Sequence, residues 1–90
     1  MLTSGDVDRV VFPTTRWREG YDTGEVDEFL ARIRETLAGL EARRPASGPL
    51  TADQVVAARF TPTKFREGYD QNAVDDFLDS VVEAFRLHGS

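Results

Sequence analysis

The chain has 90 residues, no cysteine and a formal net charge of −5, with 40% hydrophobic and 30% charged residues. That is room for one domain with a thin core. Disulfides and thiolate metal sites are excluded by the missing cysteines, and a long nucleic-acid footprint is disfavoured by the acidic balance. The opening MLTSGDVDRV lacks the basic and apolar regions of a signal peptide, and no apolar run is long enough to span a bilayer. These features suit a cytoplasmic protein.

In chain order, the first expected element is a short helix capped by Thr3, with Leu2 before the cap and Val7 four positions after it as a hydrophobic staple. Thr3 and Asp6 make a weak capping box, and Pro13 is expected to end the helix near Phe12. A loop follows, Arg16-Trp17-Arg18-Glu19, and then Gly20-Tyr21-Asp22. Asp22 caps a long helix from about residue 22 to 43. In this reading Tyr21 and Val26 form its staple, Glu25 completes its capping box, and Gly20 supplies a positive φ or a close approach. Val26, Phe29, Leu30, Ile33, Leu37 and Leu40 recur at steps of three and four, one apolar stripe.

After a linker at 44–49 the pattern returns without a gap, Leu50 matching Leu2 and Phe85 matching Leu37. Arg-Glu-Gly-Tyr-Asp at 18–22 is spelled again at 66–70, and the two Val-Asp-x-Phe-Leu segments also coincide. Thr51 with Gln54 is a full capping box, Leu50 and Val55 are the staple, and Pro62 is the expected stop near Phe60. The second loop reads Lys64-Phe65-Arg66. Gly68, Tyr69, Asp70 and Val74 repeat the earlier turn, staple and cap, but Ala73 cannot complete a capping box. The second stripe is Val74, Phe77, Leu78, Val81 and Phe85.

The expected fold is therefore all-α, with two helix-loop-helix repeats (short helix, loop, long helix) at 1–43 and 50–90. Each long helix has one apolar stripe, so the repeats are expected to pack on each other within one chain, as an intramolecular pseudo-dimer. Asp27 and Asp75 fit either the helix dipole or a pairing with Arg18 or Arg66. His88 reads as a solvated tail residue. No nucleophile-base set, phosphate loop or metal cluster is present in the sequence, so no catalytic residue, cofactor or metal is assigned.

The segments L-T-x-x-x-V, then F, then R-x-G-Y-D-x-x-x-V-D-x-F-L resemble the N-terminal domain of the bacterial DivIVA cell-division and polar-growth proteins. Copy one carries them at Leu2, Thr3, Val7, Phe12, Arg18, Gly20, Tyr21, Asp22, Val26, Asp27, Phe29 and Leu30. Copy two carries them at Leu50, Thr51, Val55, Phe60, Arg66, Gly68, Tyr69, Asp70, Val74, Asp75, Phe77 and Leu78. Trp17 and Phe65 stand at the family's aromatic position. The resemblance implies a non-enzymatic scaffold domain that dimerises in parallel and projects an aromatic and a basic residue into lipid. By match these are Trp17 and Arg18, and Phe65 and Arg66, with Arg16 and Lys64 adding charge. The family carries a long coiled-coil tail after one such domain, whereas in this sequence a second copy follows the first.

Two functions follow as expectations. One is a cell-division or polar-growth adaptor attached peripherally to anionic membrane at the inner face of the cell membrane. The other is a soluble interaction module that docks on a larger coiled-coil partner without lipid contact. A monomer or weak homo-oligomer is expected in either case, with no nucleic acid. Exposure of Trp17 and Phe65 on one face favours the first, and burial of both favours the second.

Overall fold

Helix α1 (Ser4–Arg9) begins at the expected cap. In this computed structural model, which describes residues 2–44 and 48–88, Thr3 Oγ1 accepts from the Asp6 N–H and the Asp6 carboxylate accepts from the Thr3 N–H, a complete capping box. That contact holds the Asp6 carboxyl below its usual range, chiefly through the Thr3 N–H. Helix α3 (Ala52–Ala57) repeats the device with Thr51 and Gln54. Both helices stop before their prolines, at Val10 and Ala58, which turn extended. The long helices α2 (Thr23–Glu41) and α4 (Gln71–Leu87) start at Asp22 and Asp70, whose Oδ1 atoms accept from the N–H of Glu25 and Ala73.

The expected all-α fold of two packed helix-loop-helix repeats is overturned by the segments between the helices. They are not loops but strands β1 (Thr14–Thr15), β2 (Gly20–Tyr21), β3 (Pro62–Thr63) and β4 (Gly68–Asp70). These form one antiparallel sheet in the order β1-β4-β2-β3. Each strand of one copy pairs with strands of the other. Tyr21 lies opposite Tyr69, Thr15 opposite Gly68 and Thr63 opposite Gly20. The ladder extends through Asp22 N–H to the Thr61 carbonyl and Asp70 N–H to the Pro13 carbonyl. A two-fold axis between Tyr21 and Tyr69 thus relates every pairing. Strands of two or three residues show no readable alternation, and their partners lie in the distant copy, so local periodicity carries no trace of them.

Both glycines of the repeat sit at this crossing, and neither has a positive φ. They are there for close approach. A Cβ on Gly20 would stand 2.8 Å from the Tyr69 carbonyl oxygen, and one on Gly68 2.9 Å from that of Tyr21. A Cβ on Gly68 would also overlap Thr63 Oγ1.

Both long helices leave the sheet N-terminus first. The short helices run back toward it. Ser4 donates to Glu41 at the far end of α2, while Asp8 pairs with Arg34 one step closer to the sheet. On the second pass Leu50 N–H donates to Thr36 Oγ1, and Thr61 reaches Glu25 beside the sheet. One core fills the space between. Val26, Ile33 and Leu37 from α2 and Val74, Val81 and Phe85 from α4 are almost completely buried, joined by Val7, Leu50 and Val55. Thr36 is the buried polar exception on α2, and its hydroxyl is satisfied by accepting from Leu50 and donating to the Arg32 carbonyl.

Helix α2 ends in a Schellman motif, with Arg43 N–H on the Leu40 carbonyl and Arg44 N–H on that of Gly39. Arg43 takes the left-handed conformation (φ 56°) usually given to glycine there. Of the expected linker, residues 45–47 lie outside the described residues. His88 is not a solvated tail residue: it is half-buried and caps α4, its N–H donating to the carbonyls of Ala84 and Phe85.

Candidate functional site at the sheet end

The axis that relates the strands also relates a set of reciprocal side-chain contacts. Tyr21 was expected to staple its own helix through Val26. Its ring packs on Phe60 of the other copy, centroids 5.3 Å apart, and Phe60 meets Phe29 at 5.7 Å. Tyr69 does the same with Phe12 at 5.4 Å, and Phe12 with Phe77 at 5.6 Å. The hydroxyls complete the exchange: Tyr21 donates to Asp75 at 2.8 Å and Tyr69 to Asp27 at 2.7 Å. Asp27 and Asp75 are therefore tyrosine acceptors across the interface, a role neither sequence reading of them included. Burial, and then the hydrogen bond to Asp75, raises the Tyr21 pKa; for Tyr69 the hydrogen bond to Asp27 leads and burial follows.

Each cap aspartate divides its two oxygens between two tasks. Oδ1 holds the helix start, and Oδ2 receives an arginine of the other copy. Arg18 meets Asp70 at 2.9 Å and Arg66 meets Asp22 at 3.5 Å. Both guanidinium side chains stay mostly exposed, so each ion pair contributes at most about 1 kcal/mol.

The contact expected between the Glu25 carboxylate and the N–H of its own cap does not form, since the Asp22 N–H donates to the Thr61 carbonyl. Glu25 accepts instead from the N–H and hydroxyl of Thr61 at 2.8 and 2.7 Å. The counterparts of these two residues are Ala73 and Pro13, one without a carboxylate and one without an N–H. This link therefore exists on one side of the axis only.

Beyond this frame lie the two segments singled out as lipid- or partner-facing. They connect β1 to β2 and β3 to β4. Trp17 is 77% exposed and Phe65 is 70% exposed. Arg18 N–H donates to Thr15 Oγ1 and tightens the first turn. In the second, Phe65 itself takes a left-handed conformation (φ 63°), which costs roughly 1–2 kcal/mol for a residue with a Cβ. Lys64 Nζ lies 5.5 Å from the Phe65 ring centroid. Arg16 and Lys64 make no ion pair among the described residues. The six residues expected from sequence thus stand in the two connections of one shared sheet, each aromatic ring in solvent beside cations in sequence.

Among the described residues no group of histidine, cysteine and carboxylate side chains could hold a metal ion. No helix among them is long and apolar enough to cross a membrane. No family model, no curated protein and no solved structure matches this chain.

Proposed function

We propose that the chain is a non-enzymatic, DivIVA-like adaptor whose sheet end rests on anionic membrane at sites of cell division or polar growth. The observation that carries this reading is the exposure of Trp17 and Phe65, each between cations in a connection of the same sheet. A ring of this size contributes on the order of 2–3 kcal/mol when buried. A basic residue at an anionic surface contributes about 1 kcal/mol. Arg16 and Lys64 offer their charge fully, while Arg18 and Arg66 share theirs with Asp70 and Asp22. One tip alone gives weak, reversible attachment. Two tips on one rigid frame bind as a bivalent unit without new chemistry.

The test is co-sedimentation with phosphatidylserine vesicles and with neutral phosphatidylcholine vesicles, at low and high salt. Binding to the anionic vesicles at low salt, weakened by salt, is expected. Replacing Trp17 and Phe65 together by Ser abolishes it while circular dichroism stays unchanged. Wild-type protein that remains in the supernatant with anionic vesicles at low salt would refute lipid contact and leave the soluble interaction module.

A further inference from the structure

The two copies differ sharply on the outer side of their short helices. On the first, Asp8 and Arg34 bridge α1 and α2 with an ion pair at 2.7 Å. The matching residues of the second copy are Val56 and Val82. Val82 is half-buried against the core, whereas Val56 is 58% exposed and nearby Leu87 is 66% exposed. They line a cleft of about 520 Å³ between α3 and α4. Through Val56, Val82 and Asp79 it continues into a second, of about 380 Å³, that reaches Tyr21, Phe60 and, on the α3 side, Arg59, whose guanidinium donates to the Val56 and Ala58 carbonyls. Along one edge Asp75, Asp79 and Glu83 recur every fourth residue, which places them in one row on α4. Asp75 is taken by the Tyr21 hydroxyl, whereas Asp79 and Glu83 make no ion pair among the described residues. Arg86 lies in the last turn of α4, where its charge meets the helix dipole.

We propose that this furrow docks a basic amphipathic helix of a partner protein. Its apolar floor fits the apolar face of such a helix, and the acidic row fits its flanking lysines or arginines. From Asp75 to Leu87 the furrow runs roughly 18 Å along α4, the length of about three helical turns. A second copy of this chain is a poor occupant, because it carries net charge −5 and sets acidic row against acidic row. None of the furrow's lining residues is among the six tip residues, so variants of the furrow leave the tips intact. The proposal does not rest on the lipid reading.

Two fluorescein-labelled peptides of about 14 residues provide the probe: leucines at helical spacing flanked by lysines, and the same leucines flanked by glutamates. In fluorescence anisotropy the lysine peptide binds, and the glutamate peptide binds at least about tenfold more weakly. Val56→Asp with Val82→Arg installs the ion pair of the first copy and weakens the lysine peptide about tenfold or more, while vesicle sedimentation is unchanged. Asp79→Lys with Glu83→Lys, both on the exposed surface, reverses the preference between peptides and keeps the test open if the valine variant unfolds. Equal binding of the two peptides, no binding of the lysine peptide, or self-association of the chain that the valine variant removes would each overturn the proposal.

Discussion

Gly68→Ala is the most direct test of the interlocked sheet. The added Cβ would lie 2.9 Å from the Tyr21 carbonyl oxygen and would overlap Thr63 Oγ1. The first neighbour is backbone at the crossing of β2 and β4, and the second belongs to a β-branched side chain that is 2% exposed. Neither yields without opening the ladder. Overpacking of this kind costs about 1–3 kcal/mol. The φ of Gly68 is ordinary, so alanine also gains about 0.4–1 kcal/mol by restricting the unfolded chain. The net loss is about 1–2 kcal/mol, which lowers the melting temperature by roughly 5–15 °C in a domain of this size.

A partner mutation sharpens the test. Thr63 Oγ1 is buried without a hydrogen-bond partner. Thr63→Ala therefore removes an unsatisfied group worth about 1–3 kcal/mol of desolvation at the loss of a buried methyl worth about 1 kcal/mol. It also vacates part of the space that the new Cβ needs. The double variant is expected to lose about 1 kcal/mol less than the sum of the singles, read from urea unfolding followed by circular dichroism. A Gly68→Ala protein as stable as the exposed control Arg32→Ala, or strictly additive costs in the double variant, would show that the strands do not approach this closely.

Alkaline pH should weaken the fold through the tyrosine pair. Both phenols have raised pKa values in the folded state, so their contribution is complete below the ordinary value of about 10 and is lost as pH climbs through the folded values. Melting temperatures across that range, with phenolate absorbance as the monitor, check this, and Tyr21→Phe with Tyr69→Phe removes that part of the slope. Glu25→Ala breaks two hydrogen bonds to Thr61 and is expected to cost about 1 kcal/mol in urea unfolding. Ala73→Glu gains no such link, because Pro13 offers no N–H in return.

What the sequence disclosed follows from how local each feature is. Thr3, Asp22, Thr51 and Asp70 were legible as caps because a cap and its target N–H lie within four residues. The stripes were legible for the same reason, down to Ile33 and Val81. Glu25 was misread because Thr61, far along the chain, offers two donors where its own cap offers one. The packing of Tyr21 on Phe60 and of Tyr69 on Phe12 was not legible, because no local pattern reveals a contact between the copies. The glycines were assigned either a turn or a close approach, and only the pairing of β2 with β4 decides for the second. The tip residues were singled out by the repetition of an aromatic between cations, and both rings are exposed. The left-handed conformation of Phe65 was not legible, since no turn-forming residue marks it.

The exchange of strands between the copies also governs how the chain can be made. Strands β1 and β2 have no partner until β3 and β4 exist. A ribosome adding about 5–20 residues per second takes several seconds to extend the nascent chain from residue 21 to residue 70. Throughout that interval the first half waits with its ladder unmatched, beside other nascent first and second halves on the same messenger. A second half from a neighbouring chain offers the same register as its own, so dense translation favours exchanged dimers, and dilute translation favours the closed single chain.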